Sequence, residues 1–153
     1  MAFARDRLAP HIGYFVCQHH FPENLWNPDA QSHPNQARAL SEIALYAENP
    51  ADHAEFMSAF TGLRDFSVTS SSIVFATHGE IHIHSKPSFQ YFFGEQDLSD
   101  DTQLAAFTVM VSDLVQVKER FRKQSIPFVE LHAALVVPAG SAFGVCLRFL
   151  QSL

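Results

Sequence analysis

The stretch Glu80–Pro87 holds a pair of side chains whose type and spacing suit metal binding. His82 and His84 alternate there with Ile81 and Ile83. Because successive side chains of a β-strand point to opposite faces of its sheet, both imidazoles would lie on one face and both isoleucines on the other. Neutral imidazole nitrogens bind zinc and nickel. The alternative is that the histidines form the polar face of an ordinary half-buried strand.

A metal site would need more ligands than these two imidazoles. Glu42 is the carboxylate that could join His82 and His84. The incomplete ligand set favours histidines that are exposed or hydrogen-bonded over histidines that hold a metal. A thiol nucleophile is a further alternative, in which Cys146 would use one of the histidines as its base. A single cysteine without a located base favours a structural thiol.

The segments that carry these residues follow an order that occurs twice. Residues 37–47 alternate as a strand does, and residues 49–62 predict a helix that Asn49 caps and Gly62 ends. Strand-like segments follow, and the same order recurs over residues 104–150 with a period of about 64 residues. One unit is too small to bury its apolar face alone. We therefore predict an α+β fold in which two βαβββ modules form a cupped mixed sheet with helices on the outer face.

Alternation also separates the two faces of the predicted sheet. One face is apolar, for example at Ile43, Leu45, Ile81 and Ile83, and it should pack under the helices. The opposite face is mixed, and we expect it to be concave and wet. The candidate ligand-binding residues on the mixed face are Glu42, Tyr46, His82, His84 and Arg148. Such a face is typical of a ligand site, although a solvated sheet face gives the same pattern.

The order of the segments resembles the vicinal oxygen chelate superfamily, which includes glyoxalase I, extradiol dioxygenases and bleomycin-resistance proteins. The phrases that carry the resemblance are LSEIALYAENPADHAEFMSAFTGL, FTVMVSDLVQVKERFRKQSIPF and GVCLRFL. The phrase YFVCQHHFPENLW resembles the junction between two domains in larger glyoxalase-like proteins.

The resemblance implies a domain division. Residues 1–36 would be an N-terminal strand and linker, a remnant of a preceding domain. Within them, the apolar strand at residues 11–18 should attach to an edge of this domain or of a neighbouring chain, since a free apolar edge invites aggregation. Residues 37–153 would be the glyoxalase-like domain, with modules of about 37–100 and 101–153.

The resemblance also places four metal-ligand positions of the superfamily on this chain. They fall on Glu42, on Ala106, on Arg148 and on one of His82 and His84. Alanine has no ligand atom, and arginine stays protonated and repels a cation. The resemblance thus implies no complete metal site in this chain, and a divalent metal would have only Glu42, His82 and His84. Because the fold brings its first and last strands to one cavity, Glu42 and Arg148 should form an ion pair, or Arg148 should clamp a carboxylate or phosphate.

Composition narrows the classes of partner. The 153 residues carry a net charge of −6, which disfavours nucleic acid. No apolar run has the length that spans a membrane. Cys17 and Cys146 match no zinc or redox spacing, so we expect reduced thiols in a cytoplasmic protein.

From the resemblance we expect a glyoxalase-like domain that binds a small, anionic molecule, lacks a complete metal site and belongs to a larger enzyme. Two alternatives stay open. One is a metal-dependent lyase or isomerase that uses Glu42 with His82 or His84 and is completed by a partner chain. The other is a catalytically silent dimerisation domain. The resemblance implies a homodimer, no catalytic residue is assigned, and whether the chain is an enzyme stays open.

Overall fold

The computed structural model describes residues 2–28, 31 and 33–152. Its strands are β1 (Ala2–Ala4), β2 (Tyr14–Val16), β3 (Ala37–Ala47), β4 (Ser67–Val68), β5 (Ser72–Ala76), β6 (Glu80–Ser85), β7 (Gln103–Val111), β8 (Val129–Leu131), β9 (Ala134–Val137) and β10 (Cys146–Gln151). Its α-helices are α1 (Ala54–Thr61), α2 (Lys86–Phe93) and α3 (Leu114–Lys123). Strands β3 to β10 form one sheet in the order β4-β5-β6-β3-β7-β10-β9-β8, and β1 and β2 form a separate pair. No described helix combines the length and hydropathy that crossing a bilayer requires.

Two βαβββ modules meet at the centre of the eight-stranded sheet. Strand β3 runs parallel to β6, β7 runs parallel to β10, and β3 and β7 pair antiparallel. Ile43 lies opposite Phe107 in the central pair, as expected when a twofold relates two units with a period of about 64 residues. Asn49 and Asp113, offset by the same interval, cap the helical segments of the two modules. The predicted α+β fold of two modules is confirmed.

Helices α1 and α3 cover the outer face of the sheet. Met57 of α1 is buried in one cluster with Leu45 and Ile83, and Ile81 is partly buried against the same cluster. Phe121 of α3 is buried in the equivalent cluster of the second module. Both isoleucines of the His-x-His strand therefore face a helix, which confirms the predicted assignment of the two faces.

The inner face of the sheet is covered in part by α2, a helix that the sequence analysis did not predict. Its Phe89 and Phe93 are buried in a cluster with Ala44 and Tyr46. These two β3 residues alternate with Leu45, so their side chains lie on the opposite face from α1. Helix α2 therefore fills part of the concave side, which the alternation pattern alone predicted to be wet.

The N-terminal strand β2 does not extend the eight-stranded sheet. It pairs with β1, where Tyr14 lies opposite Ala4. The Tyr14 ring packs on Phe56 and Phe60 of α1, with ring centres 4.9 Å and 5.3 Å away. The expected attachment of residues 11–18 to an edge of this sheet is therefore wrong, because residues 2–4 supply the pairing partner. Attachment to an edge of a neighbouring chain stays a prediction. The origin of residues 1–36 in a preceding domain stays a prediction.

Candidate ligand site on the inner face

A row of polar side chains crosses the inner face of the sheet at Glu42. Glu42 of β3 lies opposite Thr108 of β7, and Thr108 lies opposite Arg148 of β10. On the other side of β3, His82 and His84 of β6 pair with the residues two and four positions after Glu42. Side chains two residues apart in a strand share a face. We call these five residues the Glu42 cluster.

The carboxylate of Glu42 is the centre of the cluster. Its Oε2 accepts a hydrogen bond of 2.6 Å from the Thr108 hydroxyl and lies 3.6 Å from Arg148 Nη1. Its Oε1 lies 3.4 Å from His82 Nδ1 and 3.5 Å from His84 Nε2. Glu42 is only 7% exposed. The predicted approach of Arg148 to Glu42 within salt-bridge distance is confirmed.

Glu42 is held ionised despite its burial. Burial raises the pKa of its carboxyl group, but hydrogen bonds with His84 and Thr108 and the charges of His82 and His84 lower it. The net pKa lies below the ordinary glutamate value. The ionised carboxylate accepts hydrogen bonds and attracts cations, so it is the one strong acceptor that the four surrounding side chains share.

Each histidine is oriented by a second partner. His82 Nε2 lies 2.8 Å from Glu80 Oε2, which leaves Nδ1 towards Glu42. His84 Nδ1 lies 2.9 Å from Ser88 Oγ in the first turn of α2, which leaves Nε2 towards the same carboxylate. Such contacts fix the ring and select the nitrogen that faces the site. The sequence analysis missed both partners, although alternation places Glu80 on the face of His82.

Arg148 brings more hydrogen-bond donors than its surroundings use. Its guanidinium carbon lies 5.5 Å from the ring centre of Phe92 and 5.8 Å from that of Phe93. Its Nε is buried and has no hydrogen-bond partner within the part of the chain that the structure describes. Burial lowers the pKa of Arg148 and Glu42 raises it, with a net decrease. The guanidinium stays charged, because arginine titrates far above neutral pH.

Glu42, His82 and His84 have the composition of a metal-binding set. One ligand atom from each residue lies within 4.8 Å of the other two. The separations of 3.4 Å and 3.5 Å from Glu42 Oε1 to the imidazoles are close to a ligand–ligand edge around zinc, whose bonds are about 2.1 Å long. The resemblance left open which of the two histidines takes the superfamily's ligand position, and the structure brings both to the carboxylate. Arg148 adds a positive charge beside them, which opposes a cation.

Two other residues considered in the sequence lie outside the cluster. The Tyr46 hydroxyl accepts a hydrogen bond of 3.1 Å from the Ser99 amide, and its ring packs 5.2 Å from Phe89. Tyr46 is thus part of the inner core. The Cys146 thiol lies 3.7 Å from Glu95 Oε2, and burial together with Glu95 raises its pKa to about 11. The thiol stays protonated at neutral pH, which disfavours the alternative of a cysteine nucleophile.

Comparisons with known proteins were made by sequence and by structure. No family model and no curated protein matches the chain. Methylmalonyl-CoA epimerase from Mycobacterium tuberculosis superposes with a TM-score of 0.60 at 13% identity, over 83% of this chain and 96% of that chain. A hypothetical protein from Bacillus halodurans C-125 gives 0.54 at 11% identity, over 75% and 94%. A variant of methylmalonyl-CoA epimerase from Streptomyces coelicolor, in complex with 2-nitronate-propionyl-CoA, gives 0.52 at 10% identity, over 74% and 96%. At these identities the similarity shows a shared fold.

Proposed function

We propose that this chain, which has the fold of the vicinal oxygen chelate superfamily, is a glyoxalase-like domain that binds a small anionic molecule at the Glu42 cluster. The observation that carries the proposal is the buried Arg148 Nε, a donor that has no hydrogen-bond partner among the described residues. Arg148, Thr108 and the imidazoles surround a single carboxylate. Guanidinium has five N–H donors and no acceptor. A ligand carboxylate or phosphate would supply the missing acceptor oxygens.

Arg148 is the residue that would hold such a ligand. Its Nη1 faces Glu42, so the guanidinium edge that includes Nε is left for another acceptor. Carboxylate and phosphate oxygens form charge-assisted hydrogen bonds with this edge, often two in parallel. The rings of Phe92 and Phe93 lie next to the same guanidinium group. Their rings favour a ligand with a short hydrocarbon part next to its anionic group.

The ligand would enter between His82 and Arg148. Their side chains are 19% and 12% exposed, whereas that of Glu42 is 8% exposed. A cavity of about 180 Å³ borders Glu42 and Glu80 beside the loop that precedes β6. The Streptomyces coelicolor epimerase carries a propionyl-CoA derivative. Short acyl carboxylates, and malonate first, are therefore the ligands that we would test.

A malonate titration followed by the ¹⁵N–¹H resonance of Arg148 Nε tests the proposal. We expect this resonance to shift to saturation. Arg148→Lys should weaken binding by at least about tenfold, because lysine keeps the charge but lacks the planar fork. Arg122→Lys, at an exposed position in the last turn of α3, is the matched control and should leave the affinity unchanged. An Arg148 resonance that does not respond to malonate, acetate or phosphate would contradict anion binding.

A divalent metal is the second candidate, and the spacing of the ligand atoms of Glu42, His82 and His84 favours it. A metal held there would supply a Lewis acid to a lyase or isomerase site that a partner chain completes. Calorimetric titration with zinc and nickel separates the candidates. Stoichiometric binding that His84→Gln abolishes would favour the metal. A chain that binds neither metal nor anion, but has the molar mass of a dimer in light scattering, would be the silent dimerisation domain.

A further inference from the structure

Three hydrogen-bonded side chains, separate from the Glu42 cluster, meet where the N-terminal segment reaches α1. Asp6 belongs to the N-terminal segment, His53 directly precedes α1, and Thr102 directly precedes β7. Asp6 Oδ2 lies 2.6 Å from His53 Nδ1, and His53 Nε2 lies 3.0 Å from Thr102 Oγ1. One imidazole thus joins a carboxylate on one side to a hydroxyl on the other. We call these three residues the Thr102 relay.

The Asp6 carboxylate determines which nitrogen of His53 carries a proton. Its Oδ1 accepts a hydrogen bond of 2.9 Å from the Leu8 amide, and its Oδ2 faces His53 Nδ1. An ionised carboxylate only accepts hydrogen bonds, so Nδ1 must be the donor. In a neutral imidazole the other nitrogen, Nε2, is then an acceptor. The lone pair of Nε2 is therefore directed at the Thr102 hydroxyl, which donates its hydrogen bond to it.

Burial distinguishes the imidazole and the carboxylate from the hydroxyl. Asp6 and His53 are 4% and 5% exposed, whereas Thr102 is partly exposed. A reagent in solution can therefore reach the hydroxyl, while the two groups behind it stay shielded. A hydroxyl within hydrogen-bond reach of a base, with the base oriented by a third group, is the arrangement of an activated nucleophile.

Other threonine hydroxyls of the chain have a different kind of acceptor. Those of Thr61 and Thr77 each donate to a peptide carbonyl oxygen. A carbonyl oxygen accepts a hydrogen bond but does not take the proton at neutral pH, whereas a neutral imidazole does. Of these three threonines, Thr102 is the one whose hydroxyl lies against a base.

We propose that Thr102 is a nucleophile that takes the acyl group of an activated ester, with His53 as its general base and Asp6 as a positioning residue. Thr102 Oγ1 forms a bond to the acyl carbon, and the bond from that carbon to the leaving oxygen breaks. The hydroxyl proton passes to His53 Nε2 and then to the leaving oxygen. The products are an ester of Thr102 and an alcohol or phenol. The Glu42 cluster takes no part in this reaction, which is therefore an activity beyond anion binding.

Activated esters are the substrate class because of the nucleophile that the relay supplies. A hydroxyl is a weak nucleophile until a base removes its proton. A phenolate or similarly stable leaving group lowers the demand on that attack and departs into the solvent that Thr102 contacts. p-Nitrophenyl acetate is therefore the probe that we would use.

Incubation of the full chain with p-nitrophenyl acetate, followed by digestion and mass spectrometry, tests the proposal. We expect an acetyl ester on Thr102. Thr77 is the internal control, because it is more exposed than Thr102 but its hydroxyl donates to a carbonyl, and it should stay unlabelled. Thr102→Ser should be labelled as well, since serine keeps the hydroxyl. A chain without the ester on Thr102, or with as much ester on Thr77, would overturn the proposal.

His53→Gln tests the general base. Glutamine can hydrogen-bond to Thr102 but cannot take its proton, so the ester should form at least about a hundredfold more slowly. His20→Gln, at an exposed position, is the matched control and should react as the wild type does. The Tyr14 ring packs 4.9 Å from that of Phe56, so unchanged Tyr14 resonances show that the N-terminal segment stays in place. A rate equal to that of the wild type in His53→Gln would overturn the role of His53.

Asp6→Asn tests the positioning role of the carboxylate. The asparagine amide can donate to Nδ1, which moves the imidazole proton to Nε2 and leaves no lone pair towards Thr102. Ester formation should fall by at least about a hundredfold, and the ¹⁵N resonances of His53 should report the other tautomer. A merely structural contact would change neither the tautomer nor the rate while the Tyr14 resonances stay in place. Arg148→Lys should react as the wild type does, so failure of the anion site and failure of the Thr102 relay give different results.

Discussion

The first module presents a carboxylate and two imidazoles to the inner face, whereas the second presents a hydroxyl and a guanidinium. Glu42 and Ala106 stand one period apart on β3 and β7, so the central acceptor has no counterpart in the second module. In the second module Arg148 pairs with Thr108 on the neighbouring strand β7. In the first module His82 pairs with Ala44 of β3, which stands one period before Thr108. An imidazole in one module thus corresponds to a guanidinium in the other. The two halves repeat the backbone but supply complementary groups to a single site.

The modules also differ in what packs on them. Helix α2 follows β6 directly and seats Phe89 and Phe93 on the inner face. The N-terminal segment places Tyr14 on α1. Val115 of α3 is 67% exposed and has no such cover. The comparison indicates that the additional elements gather on the first module, which supplies three of the five residues of the Glu42 cluster.

The largest expected effect comes from α2, whose rings fill part of the inner face beside the first module. Phe89→Ala should lower the free energy of unfolding by about 3–5 kcal/mol, because the ring is fully buried and its loss leaves a cavity. It should also shift the resonances of the His84 ring, whose centre lies 6.3 Å away. Phe121→Ala on the outer face should destabilise comparably but leave His84 unchanged. Urea denaturation measures the change in the free energy of unfolding, and imidazole NMR measures the shift at His84. A destabilisation by Phe89→Ala of less than about 1 kcal/mol would show that α2 contributes little to the packing of the inner face.

Arg148→Glu would turn the donor of the second module into an acceptor. The new carboxylate would face Glu42, and repulsion between them would raise the pKa of one of the two. With Glu42, His82 and His84 the new carboxylate would form a four-ligand set. The affinity for zinc or nickel should therefore rise by at least about tenfold. Calorimetry on the wild type, Arg148→Glu and the exposed control Arg122→Glu measures this. Equal, negligible binding in all three would show that these positions do not converge on a cation.

The caps of the two helical segments, Asn49 in the first module and Asp113 in the second, should respond differently to pH. Asn49→Ala should cost about 1 kcal/mol at any pH, because its amide does not titrate. Hydrogen bonds from Gln116 lower the pKa of Asp113. The stabilisation of the protein by the ionised Asp113 is therefore complete above the pKa of Asp113 in the unfolded chain, about 4. It is lost as the pH falls through the lower pKa of Asp113 in the folded chain. Urea denaturation of Asp113→Ala at about pH 7 and about pH 3 should show a destabilisation that is smaller in acid, and a pH-independent cost would contradict the charged cap.

The two thiols should differ in reactivity with little effect on stability. Cys17 is exposed and Cys146 is buried. Because burial and Glu95 raise the pKa of Cys146 to about 11, it should react with a disulfide reagent at about pH 8 more than about a hundredfold slower than an ordinary thiol. Cys17→Ser should therefore abolish rapid labelling of the folded chain, and Cys146→Ser should preserve it. Similar rates for both thiols would show that the inner core opens readily.

Alternation in the sequence was enough to assign the two faces of the sheet, because it depends only on neighbouring residues. It placed Leu45 and Ile83 under α1 and Glu42 and His84 on the opposite face. It could not show that His82 and His84 both reach Glu42. That result depends on how β6 pairs with β3, a non-local register that no local pattern encodes.

Helix α2 was missed although its boundary signals were present. Ser85 caps it, Pro87 lies in its first turn and Gly94 ends it in a left-handed conformation, with φ 73°. Asn49 and Gly62 gave the same signals for the first helix, but α2 begins directly where a strand ends. The Asp6–His53 contact could not be predicted, because it joins residues 47 positions apart and follows no motif.

The position of β10 in the sheet determines when the site can exist during synthesis. Strand β10 lies between β7 and β9, both of which precede it in the chain. A nascent chain that ends before Cys146 therefore exposes two unpaired strand edges and lacks Arg148. The edges of such an incomplete sheet are prone to pair with other chains. Because the final pairing closes long loops, the sheet should complete slowly and only after the last strand has left the ribosome.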